Sequence, residues 1–183
     1  MASDDTQVVR VVFQILTKGD RLKMDAVSNV SDSGGGARDL RFRPETAFLP
    51  IFRKMLPEVV LERRKAAQIE TYTGKVFWEA SGQERSRKMK VWPATEAREN
   101  ECRIGGVNHF DFSGLVKKDP GGGRSIFMLF QQRNGIVRVY FTTESSLRFE
   151  NWNSTIKSFA NDWMGTKHRS AFLDLETNER FPP

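Results

Sequence analysis

The side chains best suited to chemistry lie in residues 97–106, which read Ala-Arg-Glu-Asn-Glu-Cys-Arg-Ile-Gly-Gly. Arg98, Asn100, Glu101 and Arg103 follow one another with no apolar stripe, so packing alone does not account for them. A guanidinium donates in pairs to guanine, an asparagine amide suits adenine, and a carboxylate accepts from the cytosine amine. The set therefore suits polar groups that reach base edges in a groove. It suits equally a solvated hairpin end with scattered ion pairs.

Catalytic sets are harder to find. Many restriction-type nucleases hold metal with an acidic residue followed two positions on by lysine, and none of the 23 Asp and Glu residues has lysine at that spacing. His109 and His168 are the only histidines, which speaks against a histidine-built metal site. No Gly-x-Ser-x-Gly elbow occurs. Cys102, the single cysteine, has charged neighbours that could lower its pKa, but no clear base accompanies it. The expectation is a non-catalytic chain without metal or cofactor.

At 183 residues, 38% of them apolar and 28% charged, the chain is long enough for one domain with a sizeable core. Its 14 Phe and 4 Trp predict an aromatic-rich interior. A net charge of +6 and an isoelectric point near 9.7 favour a polyanionic partner. One cysteine excludes a disulfide framework and fits a reducing, cytoplasmic setting. No apolar run is long enough to span a membrane, and the acidic start MASDDT does not read as a signal peptide.

The elements that must position the polar residues are mostly strands. Residues 8–16 (VVRVVFQIL), 71–80 (TYTGKVFWEA), 125–131 (SIFMLFQ) and 136–142 (IVRVYFT) read as strands, the last two joined by an Arg133-Asn134-Gly135 turn. Lys18-Gly19-Asp20 reads as a turn, with a loose strand at 21–27. Residues 40–43 (LRFR) alternate apolar and basic, as in a half-exposed strand. Two helices are expected. One covers 47–56 between Pro44 and Pro57; the other carries Trp152, Ile156, Phe159 and Trp163 at spacings of 4, 3 and 4. Residues 58–69 fit a strand start with a basic turn, or another helix. Residues 28–38 and 117–124 are glycine-rich loops. Without regular βαβ alternation, the expected fold is mostly β with two short helices, an open β-barrel. It is expected over residues 1–166, with 167–183 as a C-terminal tail or linker.

Basic residues gather near loop glycines in two arms, 28–43 and 85–103. Lys and Arg at phosphates supply affinity; Arg, Asn and Glu at base edges supply specificity. Three motifs in order carry a likeness. The first is SDSGGGARDLRFRP at 31–44, followed by the short helix ending in Leu56-Pro57. The second is Asn100-Glu101-Cys102-Arg103-Ile104 with Gly105-Gly106. The third is the strand pair 127–130 and 136–141. Over residues 28–142 the chain resembles the N-terminal effector-binding domain of EcoRII-type restriction endonucleases, a DNA-binding pseudobarrel similar to the plant B-three transcription-factor domain. It departs from that pattern at 58–69 and at Cys102.

The resemblance implies a non-catalytic, sequence-specific reader of a short duplex DNA site in the major groove. Such a domain is the regulatory part of a Type II restriction endonuclease in a restriction-modification system. The implied contacts are Ser31, Asp32, Ser33, Arg38 and Arg41 on the first arm, and Arg98, Asn100, Glu101 and Arg103 on the second. Lys23, Lys88 and Lys90 would meet phosphates. Expected partners are double-stranded DNA and a C-terminal nuclease domain, with no membrane, and with the isolated domain a monomer. Two other readings stay open. One is a general basic nucleic-acid-binding module that stacks bases on Trp78, Trp92 or the phenylalanines; the other is a small metal-dependent nuclease.

Overall fold

A computed structural model of the chain describes residues 7–25, 39–64, 67–96, 98–105, 107, 112–117, 121 and 123–183. Among them the order is β1 (Val8–Ile15), α1 (Lys18–Asp25), β2 (Asp39–Phe42), α2 (Glu45–Met55), β3 (Glu58–Arg64), β4 (Ala67–Ala80) and β5 (Gln83–Trp92). Then follow β6 (Cys102–Gly105), β7 (Ser125–Gln132), β8 (Val137–Thr143), α3 (Glu144–Leu147), α4 (Ser154–Met164), β9 (Ser170–Asp174) and β10 (Arg180–Phe181). The chain is mostly β with short helices, and its path of strand pairing is open, ending at β10 and at β2. This is the open-barrel class expected from the sequence, with four helices among the described residues where two were expected. Contacts divide it into two compact units: Met1–Thr17, Phe77–Arg85 and Leu115–Pro183 form one, Lys18–Val76 and Ser86–Gly114 the other.

In the first unit the strands run β10-β9-β1-β7-β8. β1 lies between β7 and β9, both antiparallel to it. That position explains its nearly unbroken β-branched run, because a central strand has little solvent-facing surface. The β7–β8 hairpin turns where expected. Gly135 takes φ +85°, and the Asn134 side-chain oxygen accepts from the Ile136 amide at 3.1 Å. α4 lays Ile156, Phe159 and Trp163 on Val11, Phe13, Ile126 and Met128, with the Phe13 and Trp163 rings 5.3 Å apart. Its first turn is capped by Asn153, whose side-chain oxygen accepts from the Thr155 amide at 2.8 Å.

Residues 167–183 correct the expectation of a tail. They form β9 and β10, and β9 pairs with β1 from Arg10↔Asp174 to Gln14↔Ser170. Ala171, Phe172 and Leu173 are buried. Five residues set between polar stretches carry too short a periodic signal to be seen in sequence, and a partner more than 150 positions away decides the outcome.

In the second unit β6 lies between β5 and β2, and β3 pairs with the first half of β4. Phe42 of β2 packs with Phe48 and Phe52 of α2 at centroid distances of 5.4 and 5.0 Å. Ile51 and Met55 complete the buried face of α2. Pro44 stands at its N-cap with extended ψ, as the sequence suggested. Residues 58–69, left open between strand and helix, are β3 and the start of β4, in keeping with the β-branched Val59 and Val60. The turn and loose strand expected at 18–27 are instead α1. Met24 is buried, and Arg21, Leu22, Lys23 and Met24 are all good helix formers. No helix among the described residues is long and apolar enough to cross a membrane.

Candidate nucleic-acid interface

The second unit gathers Arg41, Arg43, Arg98 and Arg103 on one edge. β2 alternates: Leu40 and Phe42 face the core, while the buried Asp39 and the exposed Arg41 lie on the other face, and Arg43 follows just past the strand. β6 does the same in antiparallel register, with Cys102 and Ile104 inward and Arg103 opposite Arg41. Period-two alternation over two short strands therefore puts residues from both arms on one surface.

Glu101 is the centre of that surface. Its side chain is only 1% exposed and faces three guanidinium groups. Arg43 donates from Nε and Nη2 to Oε2 at 3.1 and 2.7 Å. Oε1 faces Arg98 Nη1 at 3.5 Å and Arg41 Nε at 3.8 Å, charge contacts too long for good hydrogen bonds. Arg43 and Arg41 keep 66% and 49% of their side chains in solvent. Three cations on one shielded carboxylate leave excess positive charge facing outward, held in fixed positions.

Glu101 was expected to accept from a cytosine amine. Its burial corrects that: the carboxylate is consumed in orienting arginines. Arg103 needs the same correction. Its Nη1 donates to Asp39 Oδ2 at 3.1 Å, and its guanidinium lies 5.8 Å from the Trp92 ring centroid. Both members of the Arg103–Asp39 pair are buried, so Arg103 holds β6 to β2 and does not reach outward. Trp92 in turn covers Gly105. A Cβ there would stand 1.8 Å from the indole, so only glycine lets the ring lie flat on the strand.

Asn100 is exposed, but it has a backbone task. It adopts φ +56°, a conformation asparagine tolerates, and its Oδ1 accepts from the Glu45 amide at 3.1 Å. It thereby ties the turn before β6 to the start of α2. Glu45 closes the same corner by accepting from the Ala94 amide at 2.6 Å.

Lys88 and Lys90 of β5, expected at phosphates, are turned toward β3. Lys88 Nζ meets Glu58 at 2.6 Å, and this contact holds the Glu58 carboxyl below its ordinary range. Lys90 pairs with Glu62, which also accepts from Trp92 Nε1 at 3.0 Å. Such solvent-facing pairs are screened by water and weak, so a phosphate could compete for either lysine. Ser31, Asp32, Ser33 and Arg38 lie outside the described residues, as does the side chain of Lys23.

Arg43, absent from the implied contact set, is the most exposed member of the cluster. The alternation of LRFR carried its signal, since a strand that buries Leu40 and Phe42 must project Arg41 and Arg43 together. Among the described residues no group of three His, Cys, Asp or Glu side chains is placed to hold a metal. Cys102 is buried against the core; burial first, and the nearby Glu45 charge second, push its thiol up, the reverse of what its charged sequence neighbours suggested. No protein-family model matches the chain, and no curated protein matches it.

Proposed function

We propose that the chain is a sequence-specific reader of duplex DNA, with Arg41, Arg43 and Arg98 as its contact residues on the edge built by β2 and the turn before β6. The observation that supports this reading is the convergence of three part-exposed guanidinium groups on the buried Glu101. Orienting a guanidinium beforehand reduces the ordering cost of a bidentate contact with guanine or phosphate. The net charge of +6 adds long-range attraction to a polyanion. From the motif order at 31–44 and 100–106 we further propose a regulatory role in a Type II restriction endonuclease whose nuclease domain lies C-terminal and carries the catalysis.

Selection of bound duplexes from a random pool at fixed salt comes first, because phosphate affinity otherwise masks preference. On the selected site, Arg43→Ala and Arg98→Ala are each expected to lose about 1–3 kcal/mol of affinity and to relax preference at one base pair. Equal losses on selected and scrambled duplexes would reduce the cluster to a phosphate clamp. A pool that returns no preferred sequence would remove the specific reading altogether.

One observation favours the module that stacks unpaired bases. In the first unit a cleft of about 420 Å³ is lined by the part-exposed Phe130 and Tyr140, with Lys117 and Arg138 beside them. Trp78 also lines it but is almost fully buried, so it offers little stacking face, contrary to its expected use as a platform. Competition between the selected duplex and one of its single strands separates the two readings. Tighter binding of the single strand, lost on Tyr140→Leu, would favour stacking.

A further inference from the structure

We propose that β3 is a dimerisation strand, and that two copies of the chain join by antiparallel pairing of β3 with β3 about an axis at Leu61. Among the described residues β3 pairs only with β4, so its other edge is unpartnered. It is seven residues long, and its second to fourth residues, Val59, Val60 and Leu61, are exposed by 55%, 36% and 63%. Sheet edges are ordinarily protected by brevity, by a charge at the centre, by proline or by a bulge. The other two edges follow that rule: β10 has two residues, and β2 has four, with Arg41 projecting from it. β3 is longer than either, and its charges, Glu58 before and Glu62, Arg63 and Arg64 after, flank an exposed apolar run that they do not interrupt. That run lies on both faces of the strand, so a second layer packed on one face would not cover it, whereas another strand laid along the edge would.

The charges select what that strand is. β3 reads Glu-Val-Val-Leu-Glu-Arg-Arg, acidic at its start and basic at its end. Antiparallel pairing with a second copy sets the acidic end of each against the basic end of the other. A two-fold axis perpendicular to the sheet keeps like faces together, which restricts the register. Centred on Leu61, the pairing sets Glu58 opposite Arg64, Val59 opposite Arg63, Val60 opposite Glu62, and Leu61 opposite itself. Centred on Val60, it would set Glu58 opposite Glu62, like charges directly across the ladder, which is unfavourable. The Leu61 register is therefore the one in which the strand complements its own copy.

Sedimentation equilibrium of the full chain without DNA tests the association apart from any DNA reading. The expected mass rises with concentration from 21.0 kDa toward twice that value. Leu61→Glu, which places two carboxylates together at the axis, is expected to hold the chain at the monomer mass. A monomer at every concentration, or an unchanged dimer in Leu61→Glu, would overturn the proposal. Oxidative crosslinking tests the register. Leu61→Cys is expected to give a disulfide-linked dimer, because the new thiol meets its own copy and the native Cys102 is buried. Arg63→Cys, which faces Val59, is expected not to. Equal crosslinking by both variants, or none by Leu61→Cys, would refute the register. Circular dichroism of each variant confirms that the monomer fold is kept.

Discussion

A chain ended at Gly165 is expected to lose the cooperative folding of its first unit. The deletion removes Ala171, Phe172 and Leu173 from the interior. Burying a Phe or Leu side chain contributes about 1.5–3 kcal/mol each. It also strips β1 of one of its two neighbours, along with the ladder from Arg10 to Gln14. Three further ties go with it. Arg10 Nε donates to Asp174 at 3.1 Å, Trp163 Nε1 to the His168 carbonyl at 2.9 Å, and the Ile15 amide to the Arg169 carbonyl at 2.8 Å. The Trp163 tie matters because it anchors α4, the helix that covers the core. These losses together approach the entire stability of an ordinary domain, about 5–15 kcal/mol. Near-ultraviolet circular dichroism and thermal melting read the result directly. A truncated chain that melts cooperatively near the temperature of the full chain would show that β9 is dispensable.

Asp39→Ala is expected to be the most damaging single substitution at the arginine edge, costing about 3–5 kcal/mol. Asp39 and Arg103 are both buried, and one hydrogen bond of 3.1 Å joins them. Asp39 Oδ1 and Arg103 Nε make no hydrogen bond, so the pair is not a full fork. Its net contribution is therefore small, but removing one member strands the other charge away from water. For a chain of this length that corresponds to a drop in melting temperature of about 10 °C. Replacing both partners, as Asp39→Ala with Arg103→Met, is expected to recover most of the loss, because the methionine fills the space under Trp92 without a charge. A thermal double-mutant cycle measures this. Additive losses in the double variant would contradict the stranded-charge account. Under the proposed duplex-reading function, Arg103→Ala would lower affinity through the same loss of order, so its stability must be measured before any reduced affinity is assigned to a base contact.

Much of the architecture was legible because its periods are local. The Trp152, Ile156, Phe159, Trp163 spacing located α4, and the apolar runs 125–131 and 136–142 around Arg133-Asn134-Gly135 located a hairpin. The mostly β, open class followed from such segments. Elements whose identity is set from far away were not legible. Residues 18–25 carry no strong amphipathic pattern, and burial of Met24 makes them a helix. Residues 170–174 are a strand because β1 offers an edge. The polar cluster divides in the same way. Its membership was visible in ARENECR and LRFR, but its roles were not. In a string of alternating charges nothing distinguishes a carboxylate that meets solvent from one that is enclosed. The partners that enclose Glu101 and Arg103 come from Arg43 and Asp39, 58 and 64 positions away.

Cys102 lies between those two buried ionic residues, and its thiol faces the core with its acidity suppressed. An alkylating reagent in solution can reach it only when β6 parts from its neighbours. The labelling rate is thus a stopwatch for opening of the arginine edge, and each 1.4 kcal/mol of opening free energy slows it about tenfold. The chain carries no other thiol to confuse the record. Asp39→Ala should set the clock running faster, and a ligand that grips Arg41, Arg43 and Arg98 should slow it. The residue least able to react in the closed protein is therefore its own reporter of how often the site comes apart.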